Sequence, residues 1–194
     1  LFSSEADENT LVQKKYKEFT ALQNESEIQF LLAMTYSCNM QCSYCYQKHF
    51  DTNGQYITRE GIDNFFVMAN EIISRYPNKG YYVTLFGGEP FLGGNSNKEI
   101  FHYLVSWCRL AGIKISVVTN GVELLAYSDL LDKKDIKEIQ VTLDGIAAIH
   151  DKRRPVKNSG SSFDRIISGM KMLIEKRIPI NLRDAQPDPD WIEG

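Results

Sequence analysis

The sequence has few cysteines, little net charge and no long apolar run. Only four of its 194 residues are Cys, and 22 Lys plus Arg nearly balance 25 Asp plus Glu, for a formal net charge of −3. No segment approaches the roughly 20 apolar residues of a membrane span, and residues 1–10 are too acidic and polar for a signal peptide. Near-neutral charge argues against an electrostatic nucleic-acid binder. We therefore expect a cytoplasmic protein with no membrane partner and no nucleic-acid partner.

Three of the four cysteines lie close together, at Cys38, Cys42 and Cys45. A disulfide framework spreads cysteines along the chain to close long loops, so this clustering favours metal ligation. Three thiolates on one loop can each bind one iron of a cubane cluster and leave the fourth iron without a protein ligand. A Cys3His zinc site completed by His49 is the alternative. Cys108 shares an apolar helix face and is predicted to be a core residue.

Apolar runs of strand length alternate with amphipathic helical segments through most of the chain. The predicted strands are 28–35, 81–86, 114–119, 138–143 and 179–183, and the predicted helices are 8–23, 59–76 with Thr58 as N-cap, 98–111, 123–131 and 163–176. The near-continuous apolar character of 28–35 is typical of a strand covered on both sides. The predicted helix 8–23 has a partly apolar face, which indicates a helix that covers part of the domain. The alternation implies right-handed βαβ units and a parallel sheet, open or curled toward a barrel.

Polar and glycine-rich clusters follow four of the predicted strands. In chain order they are Cys38–Tyr46, Gly87–Pro90, Thr119–Gly121 and Asp144–Gly145. Because the carboxyl ends of parallel strands meet at one rim, the four clusters predict a single site. Gly87 and Gly88 offer bare backbone for close approach, and Glu89 offers a carboxylate for an ammonium group. Asn120 and Asp144, each beside a glycine turn, suit ribose hydroxyls or an adenine edge.

These motifs resemble those of the radical S-adenosylmethionine (SAM) superfamily over roughly residues 28–183. The resemblance rests on the three clustered cysteines, on Gly87–Pro90, on Thr119–Gly121 and on 141–145. The variants Cys-Asn-Met-x-Cys-x-Tyr-Cys-Tyr and His150–Arg154 are most similar to the peptide- and protein-modifying branch, which includes sulfatase maturases and thioether-forming peptide cyclases. The fold that the resemblance implies is α/β, a partial (β/α)6 barrel, here truncated to about five parallel strands.

The resemblance also implies cofactors and their ligands. It implies a 4Fe-4S cluster on Cys38, Cys42 and Cys45, with SAM bound at the open iron. For SAM, it implies Gly87, Gly88 and Glu89 at the amino group and Tyr44 near the adenine. It implies that the ribose or methionine faces Thr119, Asn120, Thr142 and Asp144. The SAM carboxylate would pair with Arg154, and Arg153 is the neighbouring candidate. One electron from a ferredoxin or flavodoxin would cleave SAM to a 5′-deoxyadenosyl radical, which abstracts hydrogen from a peptide or protein substrate. The resemblance does not identify an acid or base in this chain that would act on the substrate.

The chain departs from the family pattern in its extent. The family barrel normally has six strands, and modifying enzymes commonly add a cysteine-rich C-terminal domain, whereas the only remaining thiol here is Cys108. We therefore expect the sixth strand and such a domain to be absent, and Leu1 to mark a trimmed start. The predicted organisation is a helical lead (1–27), a core domain (28–183) and an acidic extended tail (184–194). A truncated, non-catalytic barrel that binds a cluster or SAM as a scaffold is the alternative function.

Overall fold

The computed structural model describes residues 5–49, 54–157 and 160–183, except for the side chains of residues 5, 6, 23, 24, 48 and 49. The predicted acidic tail, 184–194, lies outside these residues. The helices are α1 (Glu5–Glu25), α2 (Arg59–Arg75), α3 (Asn95–Ala111), α4 (Ala147–Arg153) and α5 (Ser162–Glu175). The strands are β1 (Ile28–Thr35), β2 (Tyr81–Gly87), β3 (Lys114–Thr119), β4 (Ile136–Thr142) and β5 (Ile180–Arg183). Short 3-10 helices cover Tyr46–His49 and Leu124–Tyr127.

The five strands form one sheet in the order β1-β2-β3-β4-β5, and every neighbouring pair is parallel. Helix α2 connects β1 to β2, α3 connects β2 to β3, and α4 and α5 lie between β4 and β5. All five carboxyl ends therefore reach the same rim. This architecture confirms the predicted α/β class with five parallel strands.

The hydrophobic core lies between one face of the sheet and its helices. Alternate residues of the three central strands are fully buried on that face, namely Val83, Leu85, Ile115, Val117, Ile139 and Val141. Helix α2 begins where predicted, because the Thr58 side chain accepts a hydrogen bond from the Gly61 N–H at 3.1 Å. Cys108 is 1% exposed and belongs to this core, as predicted.

An ion pair crosses the face of the sheet opposite the core. Lys137 of β4 pairs with Glu27, the residue that precedes β1, and its ammonium lies 3.8 Å from the centre of the Tyr82 ring. These contacts connect the amino ends of β1, β2 and β4 on that face.

Two elements are less covered than their sequences predict. Strand β1 is at the edge of the sheet, and Leu31 is 64% exposed, so the expectation that 28–35 is covered on both sides is wrong. Helix α1 forms, but Val12, Tyr16 and Phe19 on its apolar face are more than half exposed. Within the described residues, α1 therefore does not act as the covering helix that was expected.

Helix α4 is absent from the predicted helices, and the predicted helix 123–131 reduces to the 3-10 turn Leu124–Tyr127. None of the helices within the described ranges is long and apolar enough to cross a membrane.

Candidate active site

The cysteine loop, residues 36–45, leaves the carboxyl end of β1 and pairs with a distant segment of the chain. The Gln41 and Ser43 N–H groups donate to the carbonyls of Pro155 and Arg153, both at 2.9 Å, and the Lys157 N–H donates to the Asn39 carbonyl at 3.0 Å. Residues 153–157, which begin at the last residue of α4, thus form an antiparallel ribbon with the cysteine loop. The ribbon holds the loop across the rim of the sheet.

The three clustered cysteines line one cavity of about 430 Å³, together with Tyr36, Met40, Gln41, Gln47 and Lys157. All three are free thiols. Burial, assisted by the nearby Glu89 carboxylate, raises the pKa of Cys38 to about 11. Burial also raises the pKa of Cys42, although the Arg154 guanidinium opposes the shift. In the metal-free protein both thiols are therefore protonated at neutral pH.

A single metal ion and a multi-iron cluster place different demands on these three sulfurs. Zinc requires its sulfurs about 2.3 Å from a single centre, whereas a cubane cluster receives each thiolate at a different iron. Within the described ranges, no three His, Cys, Asp or Glu side chains form a group that could hold a metal ion. The Cys3His zinc alternative stays a prediction, because the His49 side chain lies outside the described residues.

The Gly87–Pro90 loop packs directly on the cysteine loop. The Gly88 N–H donates to the Thr35 carbonyl at 2.7 Å, and the Glu89 N–H donates to the Ser37 carbonyl at 3.0 Å. A Cβ at Gly87 would overlap the Thr35 carbonyl oxygen, and one at Gly88 would overlap that of Ser37. Gly87 also has a φ of 127°, which favours glycine. Both glycines are therefore required by the approach of two backbones.

Glu89 joins this loop to the end of β3. It is 1% exposed. Its carboxylate accepts hydrogen bonds from the Thr119 hydroxyl (2.6 Å), the Asn120 N–H (2.7 Å) and the Phe91 N–H (2.9 Å). Burial raises the pKa of Glu89, although all three hydrogen bonds oppose the shift. About one of the four acceptor positions of the carboxylate remains for a further donor.

Asn120 lies between this network and the cysteine loop. Its side-chain amide is 2.8 Å from the Asn39 Oδ1 and 3.7 Å from the Cys38 sulfur. Thr142, the last residue of β4, is half-buried at the same rim and is in register with Arg183 of β5.

A second polar network occupies the β4 side of the rim. The Tyr44 hydroxyl donates to the Asp144 Oδ2 at 2.8 Å, and Arg154 donates to the Tyr44 oxygen at 2.7 Å. Arg153 lies 3.4 Å from the same Asp144 oxygen and 5.2 Å from the centre of the Tyr44 ring. Burial, with a contribution from the hydrogen bond to Asp144, raises the pKa of Tyr44 to about 12. The network holds a carboxylate, a phenol and two guanidinium groups beside the cysteines.

His150 and Asp151, the first two residues of the His150–Arg154 motif, have structural roles that their sequence pattern does not predict. His150 is fully buried, and its Nδ1 accepts a hydrogen bond from the Asp144 N–H at 3.0 Å, which fixes the turn after β4. Asp151 accepts hydrogen bonds from the Ser162 and Phe163 N–H groups, both at 2.9 Å, and so caps α5. The spacing of His150 and Asp151 from Arg154 is the feature of the sequence that could have indicated these roles. Helix α4 carries His150 and Asp151 and directs the two side chains to different partners.

Three buried polar atoms of this β4-side network have no hydrogen-bond partner in the described protein: the Asp144 Oδ1, the His150 Nε2 and the Arg154 Nε. Since the His150 Nδ1 is an acceptor, the proton of the neutral ring is on Nε2. Burial and the nearby Arg154 lower the pKa of His150, so the neutral form dominates. One acceptor and two donors are thus without a hydrogen-bond partner, and two of these atoms belong to Asp144 and Arg154, which are close enough to Cys42 to affect its pKa. Such groups fit a zwitterionic, hydrogen-bonding ligand.

Comparison with known proteins agrees with this geometry. The sequence model of the radical SAM superfamily matches residues 32–183. The chain belongs to the radical SAM superfamily. Its predicted membership is thereby confirmed, and the five-stranded parallel sheet matches the partial barrel of that family.

Two curated radical SAM relatives and one solved structure illustrate the similarity. The chain is 27% identical to a cysteine-type anaerobic sulfatase-maturating enzyme of Clostridium novyi (strain NT), over 75% of this chain and 40% of that enzyme. It is 26% identical to a probable GTP 3′,8-cyclase of Methanocella arvoryzae, over 84% of this chain and 47% of that protein. The structure of native anSMEcpe with bound AdoMet and Kp18Cys peptide has a TM-score of 0.63 at 19% identity, covering 80% of this chain and 43% of that one.

The chain thus spans less than half the length of these radical SAM proteins. The similarity to anSMEcpe establishes the fold of this core.

Proposed function

We propose that this chain is the core of a radical SAM enzyme that modifies a peptide or protein. One observation carries the proposal: three free cysteines line a single cavity at the carboxyl rim, and Asp144 and Arg154 near Cys42 each have a buried polar atom without a hydrogen-bond partner. Cys38, Cys42 and Cys45 would hold a 4Fe-4S cluster, and SAM would bind at its open iron. When bound, the two cofactors together supply the reductive cleavage that yields a hydrogen-abstracting radical.

The surrounding residues would bind and orient SAM. Arg154 is buried, and its pKa is raised by Cys42, Tyr44 and Asp144 against the effect of burial, so it carries a permanent positive charge for the SAM carboxylate. Tyr44 would lie at the adenine. The remaining acceptor position of Glu89, with the Gly87 and Gly88 backbone, would receive the amino group, and Thr119, Asn120, Thr142 and Asp144 would face the ribose or methionine. The protein thereby orients SAM and excludes water.

A peptide or protein substrate is the proposed target of the radical. Two observations support it: the sulfatase-maturating enzyme among the curated relatives, and the peptide named in the solved structure. The GTP 3′,8-cyclase relative makes a nucleotide substrate the second candidate. Incubating the reduced, SAM-loaded protein with a cysteine-containing peptide or with GTP, and assaying each by mass spectrometry, would separate the two.

The electron would come from an acidic redox protein such as a ferredoxin or flavodoxin. Lys152 and Lys157 are exposed at the two ends of the segment that pairs with the cysteine loop, and Lys157 also lines the cysteine cavity. Their positive charge near the cluster site suits an acidic partner. The cytoplasmic location stays a prediction.

Metal analysis and electron paramagnetic resonance (EPR) test the cluster assignment. After anaerobic reconstitution we expect about four irons per chain, following the cluster stoichiometry, and an EPR signal of the reduced cluster that changes when SAM is added. A signal that SAM leaves unchanged would exclude SAM binding at the open iron. SAM binding without cleavage under reduction would instead support the non-catalytic scaffold, and one zinc without iron would support the zinc module.

A further inference from the structure

The orientation of the Asn120 side-chain amide is set by its neighbours. The Val122 N–H donates to the Asn120 Oδ1 at 2.9 Å, so the amide nitrogen faces the opposite way. There it lies 2.8 Å from the Asn39 Oδ1 and 3.7 Å from the Cys38 sulfur. A flipped amide would turn its nitrogen toward the Val122 N–H and lose all three hydrogen bonds. The amide nitrogen therefore faces the cysteine loop, within hydrogen-bond distance of both the Asn39 oxygen and the Cys38 sulfur.

The backbone of Asn120 is held as firmly as its side chain. Its N–H donates to Glu89 at 2.7 Å, and the neighbouring Thr119 hydroxyl donates to the same carboxylate at 2.6 Å. Asn120 is only 7% exposed. Glu89 thus holds the Asn120 backbone in the position that brings its side-chain amide to Cys38. Asn120 and Cys38 are 82 residues apart in sequence.

A hydrogen-bond donor at this position changes the reduction potential of a cluster bound to Cys38. Hydrogen bonds to the ligating sulfurs are among the factors that set the potentials of iron–sulfur clusters. Such a bond strengthens as negative charge on the sulfur increases, so it favours the reduced state. Cys38 also receives the Met40 N–H at 3.4 Å, but that donor belongs to the cysteine loop itself. The Asn120 amide approaches the sulfur from the end of β3. Because this donor belongs to a side chain, a substitution of Asn120 can remove it.

We infer that Asn120 is a positioning residue that raises the reduction potential of the cluster by donating a hydrogen bond to Cys38. The inference rests on the proposed function and deepens it. It gives the Asn120 side chain a role toward the cluster in addition to its proposed place at the ribose or methionine. Glu89 supports that role by holding the Asn120 backbone.

The test is an EPR-monitored redox titration of the reconstituted protein without SAM. We compare wild type with Asn120→Ala and Asn120→Asp; the second variant keeps an oxygen for the Val122 N–H but loses the donor. Asn70→Asp, an exposed position on α2, is the matched control for the added charge. We expect the equilibrium constant for cluster reduction to fall about tenfold in Asn120→Ala, which is about 59 mV for a one-electron couple. The fall should be larger in Asn120→Asp and absent in the control.

Unchanged potentials in iron-loaded Asn120 variants would overturn the inference while leaving the proposed function intact. If both variants fold but lose iron, Asn120 builds the cysteine loop rather than tuning the cluster, and the inference also fails. If either variant fails to fold, Asn120→Ser repeats the comparison with a hydroxyl that is too short to replace the amide. A wild-type protein without an iron–sulfur signal would instead contradict the proposed function.

Discussion

The Tyr44 hydroxyl donates a hydrogen bond to Asp144 across 2.8 Å, although 100 residues separate the two in sequence. Tyr44 lies on the cysteine loop between two of the candidate iron ligands, and Asp144 follows β4. The bond therefore joins the β1 and β4 sides of the rim. Asp144 is also the buried counter-charge of Arg153 and Arg154, at 3.4 and 4.0 Å.

Replacing Asp144 should destabilise the metal-free protein. Asp144→Asn leaves the buried Arg154 guanidinium without its counter-charge, which costs about 3 kcal/mol of unfolding free energy. Urea unfolding monitored by circular dichroism measures the change. Asp132→Asn, at an exposed pair with Lys134, is the control and should leave the unfolding midpoint unchanged. A midpoint equal to wild type in Asp144→Asn would show that the pair contributes nothing to folding.

Gly88 should not tolerate a side chain. In Gly88→Ala the added methyl collides with the Ser37 carbonyl and pushes the Gly87–Pro90 loop away from the cysteine loop. Overpacking of this kind costs about 3 kcal/mol, and we expect iron content after reconstitution to fall by more than half. Gly93→Ala is the matched control, because its Cβ meets nothing closer than 3.9 Å. Normal iron loading in Gly88→Ala would contradict this account of the loop.

Reversing one charge should impair protein-mediated reduction but not chemical reduction. In Lys152→Glu, which leaves the lining of the cysteine cavity intact, flavodoxin-driven SAM cleavage should fall several-fold at low salt, with the difference shrinking as salt rises. Dithionite-driven cleavage should stay at the wild-type rate. The control variant Lys171→Glu carries the same charge change at an exposed position on α5. An equal loss with both reductants would show that Lys152 acts on the site itself.

In the metal-free protein, Cys38 should react as a protonated thiol at neutral pH. Since burial raises the pKa of Cys38 to about 11, its thiolate fraction grows about tenfold per pH unit between pH 7 and 10. Alkylation of Cys38 by iodoacetamide, followed by peptide mass mapping, should rise accordingly. Cys108, whose pKa burial raises to about 12, is the internal comparison and should stay unmodified in the folded protein. Rapid alkylation of Cys38 at pH 7 would contradict the buried, protonated thiol.

Much of the fold follows from local patterns in the sequence. The apolar run at 28–35 predicts β1 with its observed bounds, and the Thr58 cap predicts the start of α2. Helix α4 was missed because its seven residues are too few to display a helical period. The coverage of β1 was misjudged because an apolar run alone does not distinguish a central strand from an edge strand.

The candidate site was predictable as a set of residues but not as a set of contacts. Strand ends at one rim bring Cys38, Glu89, Asn120 and Asp144 together, as the parallel sheet requires. The contacts among these residues depend on tertiary structure. Glu89 accepts hydrogen bonds from residues 30 and 31 positions away, and the cysteine loop pairs with 153–157. No local pattern encodes these pairings, so they became visible only in the folded chain.

Formation of 5′-deoxyadenosine from SAM tests the central claim most directly. The anaerobically reconstituted wild-type protein, reduced with dithionite, should release 5′-deoxyadenosine and methionine in equal amounts, quantified by liquid chromatography and mass spectrometry. Cys42→Ala should release neither product above background, because it removes one of the three iron ligands. Cleavage at the full wild-type rate by Cys42→Ala, or no cleavage by an iron-loaded wild-type protein that binds SAM, would contradict the account.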